Sequence, residues 1–172
     1  MKPKFWTSEK LLSLTAVAIS VCTLVVFLYQ TNLIRKQQYM SVFPYVSIAS
    51  AGGNTPNYKY LLLNNGIGPA IITSLKIRDN VGNEYPDVVD YVTATLTDKD
   101  TVGYYYSSIY TGRLLPQNEV VEVISLNDEK YESSIRLSEI LSPENYTLEI
   151  EYKSIYGERW LVTNQKREPV KL

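Results

Sequence analysis

Residues 146–163, YTLEIEYKSIYGERWLVT, decide the fold class of this chain. Apolar and polar side chains alternate through YTLEIEYK, so its apolar residues would share one face of a strand. The run ERWLVT follows closely, and Gly157 between the two can take the positive φ that a tight turn needs. We therefore predict a hairpin of strands 145–154 and 158–164, with Trp160 in the core.

Further β-prone runs occur along the chain before this hairpin. They are VFPYVSIAS from residue 42, YKYLLLNN from residue 58, TSLKIRD from residue 73 and VVEVISL from residue 120. Turn-forming residues bound them at 52–54, 64–66 and 80–83. Six or so strands with short connections predict a mainly β, immunoglobulin-like antiparallel sandwich.

Two segments depart from the strand pattern. PDVVDYVTATL, from residue 86, and YESSIRLSEILSP, from residue 131, space their apolar residues as short helices do. The first is the weaker case, because Val and Thr favour strands. We expect one or two short helices packed on an edge of the sandwich.

A tyrosine-rich segment, TVGYYYSSIYTG, lies between these two. Tyr104, Tyr105, Tyr106 and Tyr110 fall within seven residues. Tyrosine supplies a large contact area with little loss of entropy, so these four side chains are the predicted partner surface. The alternative is an edge strand that buries half of its tyrosines.

The N-terminal segment contains nineteen uncharged residues, beginning at Leu11 and ending at Tyr29. As a helix this run spans the roughly 30 Å hydrocarbon layer of a bilayer. A cleaved signal peptide has a shorter apolar region followed by small residues, so we predict an uncleaved signal-anchor that contacts the lipid bilayer. A lipoprotein signal ending at Cys22 is the rival interpretation, which the branched Val21 before it disfavours.

Charges near the two ends of the span bear on its orientation. Lys2, Lys4 and Lys10 precede it, whereas Arg35 and Lys36 follow it. This small difference favours a cytoplasmic N-terminus and an extracytoplasmic C-terminal domain. Trp6 and Tyr29 suit the two membrane interfaces. A small-residue step at Ala16 and Ser20 leaves a homo-oligomer open but unsupported.

These observations predict five segments. In chain order they are an N-terminal tail (1–10), the transmembrane helix (11–29), a helical stalk (30–43), the β-sandwich domain (44–165) and a C-terminal tail (166–172).

The amino-acid composition limits the kinds of functional site that the domain can contain. Residues 41–172 carry twelve Lys and Arg against seventeen Asp and Glu, which argues against a nucleic-acid partner. The chain contains no His, and its only Cys lies in the apolar run. Catalytic triads and imidazole or thiolate metal sites need residue types that the domain lacks. We predict no catalytic, cofactor or metal site and no enzyme activity.

The segment NNGIGPA, residues 64–70, resembles the strand-turn-strand signature of bacterial immunoglobulin-like domains of the cell-adhesion-related type. Together with RKQQ at 35–38, SVFPY at 41–45 and YKSIYGERW at 152–160, it is similar to a family of uncharacterised bacterial single-pass membrane proteins. That family implies no known activity. Its members often carry a Cys near residues 152–154, and this chain has none there.

The residues of this turn also suggest an architectural role. Gly66 and Gly68 offer backbone angles closed to other residues, Pro69 stiffens the exit, and Asn64 or Asn65 can bond nearby amides. The turn is not a phosphate loop, because Pro69 has no backbone N–H to donate to a phosphate and no Gly-Lys-Ser/Thr sequence follows.

The function predicted from the sequence is a membrane-anchored, non-catalytic binding module whose partner is another protein or a surface component. One alternative is a regulatory subunit of a membrane complex. Another is a carboxylate-based hydrolase using Glu149 and Glu151 or Asp98 and Asp100. Calcium binding by Asp98 and Asp100 is a less well supported hypothesis, because the loop that follows lacks the later carboxylate that such a site needs.

Overall fold

A computed structural model of the chain describes residues 7–53, 55–97, 102–127 and 130–172. They belong to two compact units, one ending at Met40 and one running from Ser41 to Leu172. The first unit contains a single helix, α1 (Ser8–Met40), of 33 residues, and none of its described residues is buried. Of the predicted features, Lys2, Lys4 and Trp6 lie outside the described residues, as does Asn54.

The predicted stalk differs at its end. Helix α1 crosses the predicted boundary between 29 and 30 without interruption, but it ends at Met40 rather than at residue 43. Phe43 instead joins the second unit. Its carbonyl accepts hydrogen bonds from the amides of Ile67 at 3.0 Å and Gly68 at 3.3 Å, and its ring meets Trp160 edge-on at 5.4 Å. Residues 41–43 are thus the first part of the β domain.

The second unit, which we call the β domain, is mainly β. In chain order its elements are β1 (Val46–Ala51), β2 (Lys59–Asn64), β3 (Ala70–Asp79), β4 (Glu84–Tyr85), α2 (Val88–Thr95), β5 (Tyr104–Tyr106), β6 (Leu114–Leu115), β7 (Val120–Leu126), α3 (Tyr131–Ile140), β8 (Tyr146–Lys153), β9 (Arg159–Thr163) and β10 (Lys166–Lys171).

Two antiparallel sheets make up the domain. The first has the strand order β1-β2-β7-β5, and the second has the order β10-β9-β8-β3-β4, with β6 also pairing with β3. All strand pairs recorded among the described residues are antiparallel, as predicted. The predicted strands all form.

The buried faces of the two sheets share one core. Alternation along β8 places Tyr146, Leu148, Ile150 and Tyr152 fully inside. Two hydrogen bonds cross between the sheets: the Tyr146 hydroxyl donates to the Tyr60 hydroxyl at 2.7 Å, and the Tyr152 hydroxyl accepts from the Val46 amide at 3.3 Å. These bonds fix the strands of one sheet over those of the other.

The predicted hairpin is confirmed. Strands β8 and β9 pair antiparallel, Gly157 in their turn has φ of 84°, and Trp160 is buried. Both predicted helices also form. Asp87 begins α2 by accepting a hydrogen bond from the Val88 amide at 2.6 Å, which offsets the weak helix propensity of Val and Thr.

The predicted C-terminal tail is wrong for most of its length. Residues 166–171 form β10, which pairs with β9 in a register that shifts between Lys166 and Val170. The Lys171 ammonium lies 5.8 Å from the centre of the Trp160 ring. Pro169 within this strand is tolerated because β10 is the edge of its sheet.

Candidate functional site

The predicted tyrosine surface lies on the outer edge of the first sheet. Strand β5 pairs with β7 through Tyr104 to Leu126 and Tyr106 to Ile124. Tyr104 is half-buried against the core, and its hydroxyl lies 2.9 Å from Thr93 Oγ1 of α2. Tyr105 and Tyr106 are 67% and 59% exposed. The edge therefore exposes the rings of Tyr105 and Tyr106, whereas Tyr104 packs against the domain.

The segment after β5 is held firmly although it has no regular structure. Ile109 is buried, and the Ser107 amide donates to the Val123 carbonyl at 3.1 Å. The guanidinium of Arg113 donates to the Ser108 carbonyl at 2.7 Å. Tyr110, 60% exposed, lies between these fixed points. A ring presented from a fixed backbone loses less entropy on binding than one on a mobile loop.

The observed segment combines features of the two interpretations that the sequence allows. Strand β5 is an edge strand, as the alternative prediction states, but it does not bury half of the four tyrosines. Three of them, Tyr105, Tyr106 and Tyr110, are exposed; we call these three residues the tyrosine surface. A buried Tyr contributes about 150–250 Å² to an interface, so three rings at roughly 60% exposure offer about 300–400 Å².

The predicted turn, residues 64–70, is built around Asn64. This side chain is fully buried, and its Oδ1 accepts from the amides of Tyr45 at 3.2 Å and Gly66 at 3.1 Å. Its Nδ2 donates to the carbonyls of Gly68 at 2.8 Å, Leu115 at 3.0 Å and Pro116 at 3.1 Å. Asn64 thus joins the start of β1, its own turn and the end of β6.

The two glycines of this turn matter for a reason that differs from the prediction. Neither Gly66 nor Gly68 has a positive φ. A Cβ on Gly66 would lie 2.3 Å from the Tyr45 amide nitrogen, and one on Gly68 would lie 1.9 Å from the Val42 carbonyl oxygen. The glycines are required because the chain entering β1 passes directly over them, and a side chain has no room there.

Of the two proposed carboxylate pairs, the structure describes Glu149 and Glu151 on β8. Glu151 is paired with Arg159 at 2.5 Å, and Glu149 lies opposite Lys76 in the register of β8 with β3. Asp98 and Asp100 lie outside the described residues. Among residues that the structure does describe, His, Cys, Asp and Glu form no group of three able to hold one metal ion.

A shallow depression of about 160 Å³ lies on the outer face of β3, β4 and β8. Lys76, Arg78, Glu84 and Glu149 are among its lining residues, and Arg78 pairs with Glu84 at 2.5 Å. Sites for small molecules usually enclose about 300–1,000 Å³ and are mostly apolar. This depression is therefore better explained as the charged outer face of the sheet.

Two sets of titratable groups in the β domain have shifted pKa values. Burial raises the pKa of Tyr58 and of Tyr152 to about 12, and it raises those of Tyr60 and Tyr146 as well. Conversely, hydrogen bonds led by the Asn83 side chain lower the pKa of Asp79 to about 2. At neutral pH the buried tyrosines are therefore uncharged and the Asp79 carboxyl is ionised.

Comparisons of the chain with protein-family models, curated proteins and solved structures give no match.

Sequence reasoning missed two features of the domain. One is the buried hydroxyl pair of Tyr60 and Tyr146, which joins residues 86 positions apart and has no local signature. The other is the Asp79 turn, where one carboxylate oxygen accepts from the amides of Val81, Gly82 and Asn83. The second could have been found, because Asp at the start of D-N-V-G-N is typical of an Asx turn.

Proposed function

We propose that this chain is a single-pass membrane protein whose β domain is a non-catalytic binding module, and that it binds a partner protein through the tyrosine surface. The observation that carries the proposal is the position of three exposed tyrosines on a fixed sheet edge. Tyrosine is enriched among the residues that dominate binding energy. An exposed sheet edge also offers unpaired backbone groups to a partner strand.

The anchoring part of the proposal is supported by α1. It is long and apolar enough to cross a membrane. Side chains such as Leu12, Ile19 and Phe27 are exposed, and exposed apolar side chains in such number suit a lipid environment. The hydroxyls of Ser20 and Thr23 donate to carbonyls one turn earlier, so they carry no unsatisfied donor into lipid.

The strand order supports an immunoglobulin-like sandwich for the β domain. Reading β1, β2, β7 and β5 as strands A, B, E and D gives the first sheet of that fold. Reading β9, β8 and β3 as G, F and C gives the second. On this assignment the tyrosine surface occupies strand D and the segment after it, at one side of the sandwich.

The size of the tyrosine surface bears on the kind of partner. A stable interface buries about 800 Å² on each side, twice what the three rings offer. Binding therefore requires contacts beyond the rings, or it is transient. Truncating a central tyrosine at such an interface costs about 2 kcal/mol or more, which is roughly a thirtyfold loss of affinity.

Affinity capture tests the binding proposal. The tagged full chain is purified from detergent-solubilised membranes of its own host, beside a variant with Tyr105, Tyr106 and Tyr110 changed to Thr. The matched control changes Val81, Tyr131 and Val170 to Thr; these side chains are also exposed, at 87%, 52% and 47%, but lie in other parts of the domain. We expect the partner to be lost with the first variant and retained with the control. A partner retained by both would contradict the proposed surface.

Reporter fusions test the anchor and its orientation. Alkaline phosphatase and a fluorescent protein that matures only in the cytoplasm are fused in turn after Leu172. We expect active phosphatase, a dark reporter and a chain that resists alkaline extraction from membranes. Release by alkali would refute the anchor, and the opposite reporter pattern would place the partner in the cytoplasm.

A further inference from the structure

The sequence contains one Asn that is followed by Gly, Asn65 before Gly66, in the turn after β2. This pair loses the side-chain amide of its Asn most readily, because Gly has no side chain to hinder the approach of its own backbone nitrogen. Every other Asn in the sequence precedes a residue with a side chain. The Asn65 side chain is exposed to solvent, whereas Gly66 is buried. Asn65 is therefore the Asn most prone to deamidation.

Deamidation at this position needs no reactant except water. The Gly66 backbone nitrogen gives up its proton to solvent and attacks Cγ of Asn65. A bond forms between these two atoms, the bond from Cγ to Nδ2 breaks, and Nδ2 takes a proton from water and leaves as ammonia. Water then opens the five-membered succinimide ring at either of its carbonyl carbons. The product at position 65 is aspartate or isoaspartate, and in isoaspartate the main chain runs through the former side-chain carbons.

The folded turn holds both reacting groups away from this reaction. The Gly66 amide donates to the buried Oδ1 of Asn64 at 3.1 Å, so its proton is bound and shielded from solvent. The Asn65 side chain donates through Nδ2 to Ser47 Oγ on β1 at 3.0 Å. Attack requires the first bond to break and the side chain to turn from Ser47 towards its own backbone. A buried, bonded amide reaches solvent only when the structure around it opens.

The folded turn also has no room for isoaspartate. The Asn65 amide donates to the Tyr45 carbonyl at 2.8 Å, and the Ile67 amide donates to the Phe43 carbonyl at 3.0 Å. These bonds hold the backbone on both sides of Gly66, where even a Cβ would lie 2.3 Å from the Tyr45 nitrogen. Isoaspartate adds one carbon to the main chain between residues 65 and 66. The turn cannot accommodate that atom while the flanking hydrogen bonds remain.

From these contacts we propose that Asn65 is a deamidation site which the folded turn keeps unreacted, and that isoaspartate formed there in the unfolded chain prevents the β domain from refolding. The Asn64 side chain protects its neighbour because it holds the Gly66 amide. Chemical change of an unfolded chain makes its unfolding irreversible, so this site limits how long the domain can stay unfolded and still recover. The protection depends neither on the tyrosine surface nor on the membrane span.

Peptide mapping of the full chain in detergent tests the protection. Folded protein and protein unfolded in guanidinium chloride are incubated side by side at mildly alkaline pH. Trypsin then releases residues 60–76 as one peptide. Mass spectrometry measures its deamidated fraction, and fragmentation by electron transfer locates the change and distinguishes aspartate from isoaspartate. We expect deamidation at position 65 to be at least tenfold slower in the folded protein. Equal rates in the two samples would overturn the proposal.

Variants at position 64 test whether this side chain provides the protection. Asn64→Asp keeps an acceptor for the Gly66 amide, and Asn64→Ala does not. At a temperature at which both are folded, we expect Asn65 to deamidate several-fold faster in Asn64→Ala than in Asn64→Asp, and equal rates would contradict the role of Asn64. Hydrogen exchange of the Gly66 amide needs no variant. Exchange in the unchanged folded chain as fast as in the unfolded chain would also overturn the proposal.

Refolding of aged protein tests the effect of the product. The chain is kept in guanidinium chloride for increasing times and diluted into detergent, and folded protein is separated by size exclusion. We expect isoaspartate at position 65 only in the fraction that fails to fold. Asn65→Asp, which represents the other product, should refold as fully as the unchanged chain, because it alters one exposed hydrogen bond. Isoaspartate in the folded fraction would refute the proposed block. So would failure of Asn65→Asp to refold, since loss of the amide would then be the cause.

Discussion

Replacing Asn64 by Ala should destabilise the β domain more than the loss of one ordinary side chain. The substitution leaves the amides of Tyr45 and Gly66 without their acceptor and removes the Asn64 donor from three carbonyl oxygens. One of the three, the Pro116 oxygen, keeps the Glu119 amide at 3.3 Å. An unpaired buried donor costs about 1–3 kcal/mol, and carbonyls with a second lone pair cost less. We expect the free energy of unfolding to fall by about 4 kcal/mol, a large part of the 5–15 kcal/mol typical of a domain.

Asn65 supplies the matched control. It is the neighbouring residue and the same side chain, but it is exposed and makes one hydrogen bond to Ser47 Oγ at 3.0 Å. Its replacement by Ala should change stability by no more than about 0.5 kcal/mol. The two variants therefore separate the hydrogen-bond network from any general effect of losing an Asn in this turn.

Urea unfolding of the full chain in detergent measures both variants. Trp160 is the reporter, since it packs against Phe43 and Tyr152, and Trp6 is changed to Phe to remove its signal. A loss below about 1 kcal/mol for Asn64→Ala, similar to that of the Asn65 variant, would refute the reasoning.

An Asp at position 64 gives a further check on the same network. It keeps the acceptor for the two amides but directs a negative charge at three carbonyl oxygens, so the folded state should raise its pKa. Stability contributed by a group with a raised folded pKa is lost as pH rises through that pKa. The Asn64→Asp variant should therefore recover stability as the pH is lowered from 7, whereas Asn64→Ala should not.

Three further predictions concern the rest of the β domain. Gly68→Ala should lower the melting temperature by several degrees, because the new Cβ would lie 1.9 Å from a backbone oxygen. Gly53→Ala is the control and should not lower it, because a Cβ there meets nothing within 4 Å. Equal effects of the two variants in calorimetry would contradict this reasoning. Tyr60→Phe and Tyr146→Phe should each cost about 1–2 kcal/mol in urea unfolding, and the double variant clearly less than their sum; additive losses would refute the coupling. Carbon NMR should find that the Asp79 carboxyl titrates with a pKa of about 2. The stability that this group contributes is then complete above its ordinary pKa of 3.8 and is lost as the pH falls through about 2. Titration at the ordinary pKa would contradict the turn geometry.

The parts of the fold that sequence predicts are those with a local periodic signal. Strand β8 alternates over its whole length, and Gly157 stands at the turn that follows, so the hairpin could be placed from residues alone. Strand β10 could not, because KREPVK has no alternation and contains Pro169, which is accepted only at a sheet edge. Strands β4 and β6, of two residues each, are too short for any pattern.

The sequence points to the residues of both segments but not to the contacts that they make. The NNGIGPA turn was recognised as architectural, yet the need for Gly68 depends on Val42, 26 positions earlier, passing over it. The tyrosine-rich segment was located, but which of its rings are exposed depends on contacts such as Tyr104 with Thr93. Such information lies in long-range packing, which neither composition nor spacing encodes.

Photo-crosslinking in living cells tests the central claim most directly. A photoreactive phenylalanine analogue replaces Tyr106 in the full chain, in its own host, and Val81 is the control position. The account predicts a discrete crosslinked protein at position 106 that is weakened when Tyr105 and Tyr110 are changed to Thr, and none at position 81. No crosslink at 106, or the same products at both positions, would contradict a binding role for the tyrosine surface.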